Sequence, residues 1–407
     1  MAFVKDDPRA RVMPACLSQD SASPMRLRIL HVSTRFTLGG AEKNMAHVIT
    51  RELEDGHDVH FAFGRDSKTI EAPAGATLHV VSDLRRSIRP AADLRAWAAL
   101  RRLIRKYDFD VVHTHESKAG VVGRAAARGS AAAIVHTIHM PAFGPGYGLV
   151  ASRLYSSAER VCGSWTDEYL SVGEELIGLY VSRNISCPER YRVLRSPVEV
   201  QRFAACRSVT TAERAVLRTS FGLDAHRATI VTMGRLEPRK RPGLILDKLA
   251  PLIAAGRIQL AVAGEGPDRA RLLSQAHRLG VASDVHVLGH IAEPERLLST
   301  ADALAHASRV EGVPQVVVQA LAAGVPVVAT EMEGLREIPG APVAIVSRDG
   351  EHMSEAVERW LASPPPPVDV GVFHPWTTPS INETLAHFHS DLKRLVSSRR
   401  HALPRRG

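Results

Sequence analysis

Short runs of β-branched and apolar residues alternate with helical patterns along almost the whole chain: "LRILHVS", "VHFAF", "TLHVV", "DVVHTH", "AIVHTIH", "EYLSV", and then "ATIVTMG", "IQLAVAG", "DVHVLG", "ALAHA", "PVVAT". Most of these runs are apolar at consecutive positions, so both faces of each strand are to be covered. Strands of that kind separated by helices form parallel sheets, because the helical crossovers that return the chain also cover the faces. The fold class is α/β. At 407 residues the chain is too long for one ordinary domain. A seam near residues 196 to 226, where a Pro and a polar helical stretch interrupt the strands, divides it into an N-terminal domain over 26–196 and a C-terminal domain over 197–378. In sheets of this kind ligands sit beyond the carboxyl ends of the strands. The loops after "HVS", "HTIH", "TMG", "VAG" and "AHAS" are therefore expected to surround a cleft between the domains.

The termini read differently. Residues 1–25 lack an apolar segment of signal-peptide type and are expected to be a disordered leader. Ile381, Leu385, Phe388, Leu392 and Leu395 share one helical face, which predicts a terminal strap over 379–398 that packs on another element. A basic tail, 399–407, follows.

Composition narrows the function classes. With 45% hydrophobic and 23% charged residues, and no apolar run long enough to cross a bilayer, the chain reads as a soluble globular protein. The formal charge of +9 suits nucleic acid, anionic lipid or a phosphorylated substrate alike. The basic residues are spread out with no RNA or DNA motif among them, so nucleic acid is not the expected partner. Cys16, Cys162, Cys187 and Cys206 fall at no metal or disulfide spacing, which implies free thiols in a reducing cytoplasm. The segment "RRSIRPAADLRAWAALRRLIRKY" either packs on the sheet through Trp97, Leu100 and Ile104 or touches anionic lipid headgroups at the membrane's inner face.

Several loops could hold a diphosphate. Gly39 and Gly40 open a helix after the first strand, where backbone N–H groups can approach a ligand, although a tight turn that packs helix on sheet reads as well. "MGRLEPRKRP" places Arg235 and Lys240 at a strand end, where two cations can neutralise a leaving phosphate; a solvated basic loop is the plain alternative. Gly264 and Gly266 in "AGEGP", Leu288 in "VLGH", and Gly312 with Val313 in "EGVPQ" mark further loops on the same edge. Pro314 suits a helix start and Gly324 the position past a helix end, which predicts a helix over about 314 to 323. Gln319 then stands roughly 7.5 Å along the axis from Glu311. Val316, Val317, Val318, Ala320 and Leu321 surround it, so it is expected to be buried and hydrogen-bonded.

"GGAE", "HTIH", "GRLEPRK", "AGEGP" and "EGVPQVVVQALAAGVPVVAT", in this order, resemble the motifs of the bacterial GT4 glycosyltransferases, a likeness that runs from about residue 26 to 396. The resemblance implies the GT-B fold, two Rossmann-like domains with parallel sheets facing a central cleft. It also implies retaining transfer of a sugar from a nucleotide-sugar donor, held mostly by the C-terminal domain, to a sugar, lipid-linked or small-molecule hydroxyl acceptor on the N-terminal domain. No metal and no cofactor are needed, since the nucleotide sugar is a co-substrate. Arg235 and Lys240 match the family's diphosphate-binding pair, Glu311 the first acid of its E-x7-E motif, His139 its active-site histidine, and Gly39 and Gly40 the loop beside the phosphates. The second acid of that motif is Gln319 here, which leaves a neutral amide for the ribose diol.

Asp108 and Asp110 imitate a metal-binding Asp-x-Asp but precede their strand, so a solvated strand start is expected. His113, His115 and His136 lack Cys or acid at ligand spacing and are read as strand-end residues rather than a zinc site. Two rival functions use the same loops: a nucleotide-sugar epimerase, which would convert the donor alone, and a non-catalytic partner of another transferase, which would not turn over.

Overall fold

The computed structural model describes residues 25–36, 39–65, 72–144 and 146–402. Apart from Met25, the expected leader lies outside these residues. Seven parallel strands form the first sheet: β1 Arg28–Ser33, β2 Asp58–Phe63, β3 Thr77–Val80, β4 Val111–His115, β5 Ala133–Ile138, β6 Glu168–Ser171 and β7 Tyr191–Val193, in the order β3-β2-β1-β4-β5-β6-β7. The second sheet holds β8 Ala228–Met233, β9 Ile258–Ala263, β10 Val285–Gly289, β11 Ala303–His306, β12 Val327–Thr330 and β13 Val343–Val346, in the order β10-β9-β8-β11-β12-β13. Every pairing is parallel. The α/β, two-sheet expectation holds. In each sheet the strand order reverses beside the first strand, between β1 and β4 and between β8 and β11, and a crevice opens at such points.

Side chains alternate along a strand, so each strand of the first sheet serves two layers. Leu30, Val32 and Val112 meet the helices Pro90–Tyr107 and Ser117–Ala127 in one layer. Ile29, Val111 and Val135 meet Val48 of the helix Gly40–Glu54 in the other, together with Ile381, Leu385, Phe388 and Leu392 of the last helix, Thr378–Ala402. Fully burying each such side chain stabilises the fold by roughly 1.5–3 kcal/mol. Val396 completes this stripe as a fully buried residue, while Leu395 is only partly buried. The helix also runs on through Arg399 and Arg400, residues read from sequence as tail, because their guanidinium groups pair with Asp167 and Asp110 at the sheet's amino edge.

The chain crosses between the domains twice, once near 194–198 and once near 376–378. The crossings touch: Val198 N donates to Trp376 O at 2.9 Å, and the Arg195 guanidinium lies 4.2 Å from the centre of the Trp376 ring. No helix among the described residues is long and apolar enough to cross a membrane.

Candidate functional site

The carboxyl edge of the second sheet is built by loops sewn to one another through their backbones. Gly234 N donates to Ala263 O at 3.0 Å, Leu236 N to Glu265 O at 2.9 Å, and Gly264 N to Gly289 O at 2.6 Å. A Cβ added at Gly264 would stand 1.9 Å from Gly234 O, and one at Gly266 would stand 2.3 Å from Leu236 O. Both residues also have φ values, +141° and +155°, that side chains disfavour. The two glycines thus let one loop lie directly on another. Leu288, next to Gly289, packs half-buried against the core beneath.

This scaffold carries a cluster of charge. Lys240 Nζ lies 2.5 Å and Arg239 Nη1 3.2 Å from Oε1 of Glu311. Arg239 also bonds Glu237 at 3.0 Å and Val310 O at 3.0 Å. Burial acts to raise the Glu311 pKa, but Lys240 and Arg239 outweigh it and hold the carboxyl at about 2. Arg235 stands apart, its side chain 46% exposed and its nearest acid, Glu237, 3.8 Å away. His306, at the end of β11, lies behind Lys240; burial, and then the Lys240 charge, lower its pKa to about 3. Three cations, Arg235, Arg239 and Lys240, against two carboxylates, Glu237 and Glu311, leave net positive charge at the sheet's crevice, a setting suited to a diphosphate.

The opposite lip comes from the N-terminal domain. A Cβ at Gly312 would stand 2.1 Å from the His139 carbonyl oxygen and 2.7 Å from Val172 Cγ2, so this loop seats on the end of β5. Val313 packs against both domains' cores. Gly39 caps the helix Gly40–Glu54 in an extended conformation, and a Cβ on Gly40 would be 3.5 Å from Gln315 Cδ. The structure therefore gathers Gly40, His139, Glu311, Gly312 and Val313 near one domain seam, with Arg235 and Lys240 on the sheet edge behind Glu311.

His139 has its own partner. Its Nε2 lies 3.1 Å from His115 Nδ1, its Nδ1 is buried without a partner among the described residues, and burial lowers its pKa to about 4.

Four readings need correction. Gln319 is half-buried and its amide bonds nothing among the described residues, because the helix Gln315–Ala322 turns it away from the buried face of Val317, Val318, Ala320 and Leu321. Asp110 is buried, not solvated: it accepts from Arg28 N at 2.9 Å and from the Arg400 guanidinium. Asp108 is exposed as expected, but it closes the helix Pro90–Tyr107 in a left-handed conformation rather than starting a strand. His115 ends β4 as expected, whereas His113 and His136 lie inside β4 and β5; all three are buried, His113 bonded to Thr137, His115 to His31 and His136 to Thr114. His31, His113 and His115 present ligand atoms within 4.8 Å of one another.

Sequence reasoning also missed Arg239, His306 and Gln315. Arg239 is one of five adjacent basic or Pro positions, 238–242, and only its ion pairs single it out. Gln315 Nε2 is buried without a partner among the described residues; its place as the first residue after Pro314 was the available signal.

Two family models match. The one for Glycosyltransferase Family 4 covers residues 38–202, and the one for Glycosyl transferases group 1 covers residues 213–371. The chain is 28% identical over 279 residues to a D-inositol 3-phosphate glycosyltransferase of Gordonia bronchialis, with 63% of this chain and 59% of that protein aligned. It is 31% identical over 241 residues to a GDP-mannose-dependent alpha-mannosyltransferase of Mycobacterium tuberculosis, with 58% of this chain and 59% of that protein aligned. The aligned stretch thus spans under two thirds of either relative. Among solved structures, Anabaena HepE in complex with UDP and glucose superposes with a TM-score of 0.71 at 18% identity, covering 90% of this chain and 100% of that one. Sucrose-phosphate synthase from Thermosynechococcus elongatus superposes with a TM-score of 0.73 at 18% identity, covering 91% and 100%. Two parallel-sheet domains, matched in turn by these two models along the chain, place the protein among the family 4 glycosyltransferases of the GT-B fold.

Proposed function

We propose that this protein transfers a sugar, with retention at the anomeric carbon and without a metal ion, from a nucleotide-sugar donor to a hydroxyl acceptor held by the N-terminal domain. The observation that carries this reading is the positive cluster at the crevice of the second sheet, where Lys240 and Arg239 share Glu311 beside the open Arg235. An ammonium has three donors, and Glu311 takes one from Lys240, which leaves two for a diphosphate whose charge grows as it departs. Both cations bond Oε1 of Glu311, so Oε2 is available to sugar hydroxyls. That HepE has been solved with UDP and glucose supports the donor class. Leu94 and Ile88, 65% and 57% exposed among the arginines of the segment ending in the helix Pro90–Tyr107, support peripheral contact with an anionic membrane if the acceptor is lipid-linked.

The test is incubation of the purified chain with a panel of UDP- and GDP-sugars and candidate acceptors, with and without EDTA, and with product anomers assigned by NMR. Transfer with retention that survives EDTA is expected. Conversion of the donor alone to a new nucleotide sugar would identify an epimerase instead. Loss with EDTA and rescue by Mn²⁺ would remove metal independence.

A further inference from the structure

Behind His139 runs a chain of buried polar groups drawn from separate elements. Glu52, on the helix Gly40–Glu54, is 1% exposed. Its Oε2 lies 2.6 Å from His31 Nε2 on β1. His31 Nδ1 lies 2.9 Å from His115 Nε2 on β4, and His115 Nδ1 lies 3.1 Å from His139 Nε2 at the end of β5. The other oxygen of Glu52 is 3.3 Å from Nε2 of His389, on the terminal helix. His31 and His115 share a face because they lie in phase with Ile29 and Val111 on neighbouring strands. The helices covering that face supply Glu52 and His389.

A carboxylate only accepts, and a neutral imidazole carries one N–H and one lone pair. The chain therefore has a direction. Glu52 accepts from both rings that face it, His31 at 2.6 Å and His389 at 3.3 Å, so the acceptor end is firm. Burial also keeps His115 and His139 neutral. With neutral rings, His31 donates from Nε2 to Glu52 and accepts at Nδ1 from His115 Nε2–H. His115 in turn accepts at Nδ1 from His139 Nε2–H. Nδ1 of His139 is left as a bare lone pair, and it is the atom with no partner among the described residues.

We propose that Glu52, His31 and His115 are positioning residues that fix the tautomer of His139, so that its Nδ1 accepts a hydrogen bond from a substrate hydroxyl in the cleft. The substrate half of this statement rests on the transferase reading above; the tautomer half does not. A buried, unpartnered lone pair discriminates among ligands, because a ligand without a matching donor leaves it unsatisfied. The cleft therefore selects a substrate with a free hydroxyl at this point over its deoxy or O-methyl analogue.

The experiment is long-range ¹H–¹⁵N NMR on the full chain labelled at histidine nitrogen, with the His139 signals assigned by their loss in His139→Asn. The expected result is a proton on Nε2 and none on Nδ1. A proton on Nδ1 of His139, as a cationic His31 would impose, overturns the proposal. Glu52→Leu removes the acceptor end, and the Nδ1-protonated form of His139 should then appear; a single unchanged tautomer in a folded Glu52→Leu protein would show that Glu52 does not set it. Transfer in that variant should fall about tenfold, the effect of one hydrogen bond, while its affinity for UDP or GDP stays within twofold. Glu52→Asp should restore the wild-type tautomer. Elemental analysis that finds one metal ion per chain at His31, His113 and His115 would also overturn the proposal, since the ion would take the lone pairs that the chain needs. The spectra require no turnover, so a failed transfer assay counts against the enzyme reading and leaves the tautomer measurement to stand or fall by itself.

Discussion

Lys240 and Arg239 meet on a single oxygen of Glu311, at 2.5 Å and 3.2 Å, which makes that carboxylate the hub through which the two cations are oriented. Its loss would leave Lys240 without an ion pair and Arg239 with Glu237 alone, and the loss of either cation would leave the other to carry the anion.

Removal of the cations should separate chemistry from folding. Arg235 is half-exposed and only distantly paired, so Arg235→Ala should lower turnover at least ~10²-fold, the scale of losing a preorganised electrostatic donor, with little change in melting temperature. Lys240→Ala should lower turnover by a similar factor and also reduce stability. Steady-state rates alongside thermal melts check both, and wild-type turnover in either folded variant would remove that residue from the mechanism.

Glu311→Gln should reduce transfer by about 10- to 100-fold, the span of a hydrogen bond to a charged group. It should also change the response to acid. Folding lowers the Glu311 pKa from 4.5 to about 2. A carboxyl shifted in that direction stabilises the fold above its unfolded value, and the contribution is lost as the pH falls through its folded one. The wild type should therefore melt higher than the variant near neutrality, with the gap closing between pH 4.5 and about 2. A gap that stays constant through that window would refute the depressed pKa.

Gly312→Ala tests the seam between the domains. The added methyl would stand 2.1 Å from the His139 carbonyl oxygen, a contact that backbone on both sides cannot easily relieve. The variant should lose about tenfold or more in transfer, from misplacement of reacting groups, and small-angle scattering should show the domains further apart. Unchanged scattering and unchanged rates would mean that the loop yields.

Gln319 now stands as a half-buried amide with no partner among the described residues. If it binds the ribose diol, Gln319→Ala should weaken nucleoside diphosphate binding by about tenfold or less, as expected for neutral hydrogen bonds. Gln319→Glu should preserve or tighten binding of the ribonucleotide and do little for its dideoxy analogue. Calorimetric titration decides the matter: identical affinities of wild type and Gln319→Ala for both nucleotides would exclude the ribose role.

The sequence was most readable where a strand is buried on both faces, as with Ile258–Ala263, whose apolar run needs no neighbour to explain it. It was least readable at the sheet edges. Tyr191–Val193 is three residues long with an arginine at its centre, and Val343–Val346 is half-covered; neither stood out from the loop around it. At the site, Glu311 and Lys240 were legible as motif residues, but their contact is made by folding alone. His31 had no signal at all. Its meaning comes from β1 lying beside β4 in register with His113, and pairing between strands far apart in the chain leaves no mark on either of them.

The two crossings between the domains, bonded at Val198 and Trp376, have a mechanical consequence. A single linker would act as a ball joint and let one domain swing, twist and tilt against the other. Two adjacent linkers pin the bodies at two points, and rotation about the line through those points is the motion that stretches neither. Opening and closing of the cleft is thereby reduced to one angular coordinate. A change of that angle moves Gly312 away from His139 and Gly40 away from Gln315 together, so the two contacts part on the same swing.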